Sequence, residues 1–166
     1  MMMARQLFAA VVCAAVLPQG AALAACPQAL AVYSDADGTV ALEFRPVDET
    51  TASTSNLFRM AFAEGPVLDG IVIWNAATSR PDGIVMHQCP QGDATGDEIK
   101  ACTIWQGIVY AVLPDASVGL LPGQNDAAAE QILLPGFAGA LRYSELFGNG
   151  INAVPWEVFG LKGCQE

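Results

Sequence analysis

Positive charge is scarce in this chain of 166 residues. Seven Lys and Arg stand against 17 Asp and Glu, a formal net charge of −10 at pH 7. Phosphate backbones are held by Lys and Arg, so nucleic acid is not an expected partner. Histidine is scarcer still, with His87 alone. A metal site built on several imidazoles is thereby excluded, and any Ser-His-Asp triad would have to use this one side chain. No G-x-S-x-G elbow is present, and no C-x-x-C pair that would activate a thiol. The segment Gly119-Leu120-Leu121-Pro122-Gly123 lacks the Lys and the strand-to-helix setting of a phosphate loop. Neither a catalytic residue nor a bound cofactor is expected from these motifs.

Long apolar runs are missing as well. Arg5 is followed by an apolar stretch from Leu7 to Leu17, about 11 residues where ~20 helical ones are needed to cross a bilayer. Pro18 and Gly20 break it, and Ala22-Leu23-Ala24 follows as an A-x-A-like cleavage site. Residues 1–24 therefore read as a cleaved export signal, and 25–166 as one disulfide-tied domain. The destination is the periplasm or the exterior of a bacterial cell. Leu23-Ala24-Ala25-Cys26 also resembles a lipobox, which would leave Cys26 lipidated and the protein anchored to the outer membrane. Apart from that anchor, no transmembrane segment is expected in the mature chain.

Cysteine parity bears on that choice. Cys13 leaves with the leader, and Cys26, Cys89, Cys102 and Cys164 remain. An even number in an exported chain reads as a disulfide framework. Four cysteines allow three pairings; the spacing favours Cys89–Cys102, closing a short polar loop, and Cys26–Cys164, tying the ends. A lipid on Cys26 would leave an odd thiol, which tilts the reading toward the cut after Ala24.

The first two thirds of the mature chain has the period of antiparallel strands. Val40, Leu42 and Phe44 alternate with Ala41, Glu43 and Arg45, after a loop ending in Asp37-Gly38. Phe58, Met60 and Phe62 share a face. Ile71-Val72-Ile73-Trp74 is apolar on both faces and reads as a central strand. Arg80-Pro81-Asp82-Gly83 reads as a turn, and Thr103–Leu113 as a long strand with a bulge at Gly107. Asn125-Asp126 predicts a helix cap over Ala127–Leu134, and Phe137–Phe147 a second helix. The expectation is an α+β fold: a mainly antiparallel sheet of six or seven strands, with one or two helices in the C-terminal third.

Several side chains invite a site. Met86, His87, Cys89 and Cys102 are soft ligands for copper or zinc, opposed by the pull of the two thiols toward a disulfide. Asp93, Asp97 and Glu98 space oxygens as calcium sites do, but Glu98 stands where an EF-hand needs Gly and Ile104 where it needs Glu. Thr95 or Asp97 in that loop can instead cap a helical turn. Glu43, Asp69, Glu145 and Glu157 lie near strands or helices, with no spacing that pairs them for glycoside hydrolysis. Trp74, Trp105 and Trp156 are expected in the core, with Trp156 the candidate for an exposed stacking platform. The reading that follows is a small, acidic, exported binding module without catalytic activity, whose partner is an unidentified protein or small molecule. Its alternatives are a periplasmic hydrolase with a carboxylate-based site and an outer-membrane-associated lipoprotein.

Overall fold

The computed structural model describes residues 26–48, 53–90, 92–113 and 115–165. The export signal expected at 1–24, and with it the expected cleavage site, lies outside the described residues. A 3-10 turn at Gln28–Leu30 opens the described chain. It is followed by strands β1 (Ala31–Ser34), β2 (Val40–Arg45), β3 (Thr54–Phe62), β4 (Val67–Asn75) and β5 (Arg80–Met86). Helix α1 (Gly96–Cys102) leads into β6 (Thr103–Ile108), β7 (Tyr110–Val112), β8 (Val118–Leu120) and β9 (Gln131–Leu133). Helix α2 (Phe137–Arg142) and β10 (Val158–Cys164) complete the order.

The expected six or seven strands with covering helices is corrected by this architecture. Ten antiparallel strands form one sheet, in the order β6-β5-β4-β3-β2-β1-β10-β9-β7-β8, curled into a half-barrel with only two short α-helices. The curl can be read from the connectivity. Strands β6 and β7 stand first and ninth in that order, yet only Val109 separates them in sequence. Two residues span at most ~7 Å, so the far end of the sheet returns to its first strand. Val109 N–H donates to Pro81 O of β5 at 3.1 Å and holds the junction.

Four local expectations fail. The helix over Ala127–Leu134 does not form, because its backbone is engaged elsewhere. Ala128 N–H donates to Cys26 O, Ala129 N–H to the Gln28 side chain, and Glu130 O accepts from Leu161 N–H. Asp126 does cap, but it closes a turn onto Gly123 N–H. The turn placed at Arg80–Gly83 lies instead at 76–79, built by Asn75 Oδ1 accepting Ala77 N–H and Thr78 N–H. Gly107 marks no bulge; the register shift in this pair falls between Val85 and Met86. Helix α2 stops at Arg142, short of the expected Phe147.

Alternation places Val40, Leu42, Phe44, Phe58, Met60, Leu68, Val72 and Val85 on the concave face, all buried. Phe44 contacts Tyr33 and Phe58 with ring centroids 5.6 Å apart in each pair. Three glycines give the rings room. A Cβ on Gly70 would overlap the Phe58 ring, one on Gly83 would meet Val109, and one on Gly107 would meet the Trp105 indole.

A polar knot closes one end of the core. Gln28, fully buried, accepts Ala129 N–H at 3.2 Å, and the Tyr33 hydroxyl sits 3.0 Å from both Gln28 Oε1 and Ala129 O. Burial pushes the Tyr33 hydroxyl from 10.0 up to about 12, against the lowering effect of these hydrogen bonds. The unfolded chain therefore loses this proton near pH 10 while the folded chain keeps it. Between those two pKa values the unfolded state binds fewer protons, so stability falls as pH rises. The expected loss reaches about 2 kcal/mol at the upper end of that window. Urea unfolding across it should show the slope in the native protein and a shallower one in Tyr33→Phe.

Candidate functional site

Tryptophan is costly to leave in water, and Trp156 is 61 % exposed. The segment 154–156 reaches it without regular structure, after α2 and immediately before β10. The indole is nonetheless held in place: its Nε1–H donates to Asp37 Oδ2, in the β1–β2 hairpin, at 2.9 Å. That hairpin is rigid because Asp35, buried, accepts Thr39 N–H at 2.8 Å, Thr39 Oγ1–H at 2.7 Å and Val40 N–H at 3.1 Å. The ring is thus clamped at its polar edge.

Two grooves share the Trp156 side chain as a wall. One, of about 560 Å³, is lined by Leu133, Ala138, Val154, Pro155, Glu157 and Val158 and is largely apolar. The other, of about 240 Å³, runs past Ser34, Asp35, Gln131 and Lys162 and is more polar. Glu157 is fixed at the first by accepting Ala138 N–H through Oε1 at 3.2 Å. Trp74 is 49 % exposed and Trp105 is 5 % exposed, so only Trp105 takes the core position expected of all three tryptophans.

A second cleft, of about 590 Å³, lies where β5 ends and α2 gives way to the loop after it. His87, Glu98, Tyr143, Ser144 and Glu145 line it. Glu98 is committed to a capping box: its carboxylate accepts Thr95 N–H and Thr95 Oγ1–H, each at 2.8 Å, and Thr95 Oγ1 accepts Glu98 N–H. These bonds, the backbone one first, hold the Glu98 carboxyl below its ordinary pKa. A glycosidase general acid needs the opposite shift. His87 Nδ1 is buried there without a hydrogen-bond partner among the described residues.

The soft-ligand set does not assemble in this cleft. Cys89 and Cys102 are joined in a disulfide, as are Cys26 and Cys164, the two pairs that the spacing favours. Asp93 and Asp97 are exposed, Asp93 in the loop before α1 and Asp97 in its first turn. Thr95 caps the helix there, so the oxygen spacing of the loop reflects helix initiation. Among the described residues no three His, Cys, Asp or Glu side chains gather as metal ligands do. Glu43 and Asp69 flank Arg59 on the convex face, where Arg59 and Asp69 form an exposed ion pair at 3.8 Å. Glu145 lies in the His87 cleft and Glu157 beside Trp156.

The sequence reading missed the neighbours of Trp156. Register pairs Val158 with Leu133, Leu133 with Tyr110, and Tyr110 with Leu120, which sets these four side chains in one row across β10, β9, β7 and β8. Their sequence neighbours Phe159, Ile132 and Ala111 are fully buried, so the row faces outward. No family model matches the chain, and neither a curated protein nor a solved structure is detectably similar to it.

Proposed function

We propose that this is an exported binding module of the periplasm, without catalytic activity, that holds its partner at the groove beside Trp156. Two disulfides suggest an oxidising, exported environment. Among the described residues no helix is long and apolar enough to cross a membrane. The Sγ of Cys26 is bonded to Cys164, which supports release after Ala24 over the lipid-anchored alternative. Glu98, in the cleft beside His87, is held below its ordinary pKa by its capping box and does not fit the role of a general acid there.

The observation that carries the proposal is an indole 61 % exposed yet oriented by a 2.9 Å hydrogen bond above an apolar groove. An exposed aromatic held in one orientation offers contact area at little cost in conformational entropy when a partner arrives. The partner is expected to insert an apolar or aromatic group there.

Titration with N-acetylphenylalanine amide, followed by NMR, tests this. Shifts should concentrate at Leu133, Val154 and Val158, with a Kd on the order of 1 mM for so small a probe. Trp156→Ala should abolish them while leaving stability within about 0.5 kcal/mol, as for a surface substitution. Shifts that persist in Trp156→Ala, or that gather at His87 instead, would contradict the assignment.

A further inference from the structure

We infer that the partner is a basic polypeptide, and that it docks across the convex face from Trp156 to β8; this rests on the groove reading above and names the partner's chemistry. Four of the eight exposed large hydrophobic side chains among the described residues belong to this region: Val118, Leu120, Trp156 and Val158. They are continuous. The row Val158–Leu133–Tyr110–Leu120 is flanked by a second row, in which Gly160 pairs with Gln131, Gln131 with Val112, and Val112 with Val118. Val118 is 59 % exposed, on the short strand that ends the sheet. A contiguous apolar area of this kind on a soluble surface marks an interaction site.

Charge around the face selects the partner. Asp37 sits on the indole edge and Glu157 in the groove. Glu130 is exposed just before β9, and Asp115 is exposed in the β7–β8 turn. Ser117 donates its Oγ–H and its N–H to Asp115 and holds that carboxyl below its ordinary pKa, so it stays ionised. Among the described residues Lys162 is the one base lining the two grooves at Trp156. With −10 on the whole chain, a second copy would be repelled and an anionic membrane surface would be too. A chain that alternates Lys or Arg with apolar residues satisfies both the acidic rim and the apolar centre.

Three heptapeptides test the inference on the mature protein. One alternates lysine with leucine and phenylalanine, one replaces its lysines by glutamate, and one replaces its apolar residues by glycine. The first should bind at least ~10-fold more tightly than either control, weakening as salt screens the rim. Binding should fall ~10-fold or more in the double variant Val118→Ser with Leu120→Ser, which removes the β8 end of the face and leaves Trp156 in place. Equal binding of the glutamate peptide would overturn the basic partner while sparing the Trp156 groove, as would an unaffected double variant. Equal binding of the glycine peptide would reduce the effect to net charge and overturn it too. Partition onto neutral phosphatidylcholine vesicles through the same side chains would assign the face to lipid and overturn it. If no peptide binds, and N-acetylphenylalanine amide also fails at Trp156, both readings fall together.

Discussion

Replacing Cys26 and Cys164 together by serine is expected to lower the unfolding free energy by about 5 kcal/mol. The bond spans 138 positions, nearly the whole described chain. Closing so long a loop removes more denatured-state entropy than any short cross-link; the 13-position loop at Cys89–Cys102 corresponds to about 3 kcal/mol. The native state already holds these ends together without the bond. Strand β1 pairs with β10, placing Ala31 opposite Cys164, and Gln165 N–H donates to Leu30 O at 2.8 Å. The loss should therefore come from the unfolded chain, with the native fold retained. Thermal unfolding of the double variant should fall on the order of 15 °C below the parent. A drop of only a degree or two would show that the ends are held by the sheet alone.

Trp105→Ala is expected to cost 3–5 kcal/mol, the ordinary range for emptying a large aromatic site and about as large a share of the ~5–15 kcal/mol a domain has to lose. The indole is 5 % exposed and lies where Gly83 and Gly107 leave room for it. Its Nε1–H donates to Pro135 O at 3.1 Å, and its ring meets Phe137 edge-on at 6.2 Å. Pro135 lies just before α2 and Phe137 opens it, so this residue fastens α2 to β6. Helix α2 in turn supplies Ala138 to the groove at Trp156, and Tyr143 just beyond it lines the His87 cleft. Urea unfolding should show the full loss for Trp105→Ala. Trp105→Phe, which keeps a ring but not the donor, should lose roughly 1–2 kcal/mol. Equal losses for the two variants would mean that the hydrogen bond, and not the packing, holds the helix.

Much of the sheet was legible because its signals are local. Val40, Leu42 and Phe44 alternate within one strand, and the hairpin before them is announced by Asp37-Gly38. Thr95 and Glu98 give a capping box that stands three residues apart. The elements that were misread depend on distant partners. Ala127–Leu134 has helix-forming composition, but the backbone groups it would need for a helix are bonded to Cys26, Gln28 and Leu161. The same limit applies to the surface. Trp156 stands out in the sequence as a candidate stacking platform, but the Asp37 that holds its indole edge lies 119 positions away. Tyr110, Leu120, Leu133 and Val158 form a row only when three strand registers are known. No spacing in the sequence encodes that row, because its members lie on four strands separated by loops of different length.

The most direct test of the account as an exported, disulfide-tied module is the intact mass of the protein recovered from bacterial cells, before and after reduction and alkylation. A chain beginning at Ala25, carrying no lipid and taking up alkyl groups at Cys26, Cys89, Cys102 and Cys164 only after reduction, is the predicted result. Diacylglycerol on Cys26, or thiols that react without reduction, would contradict it.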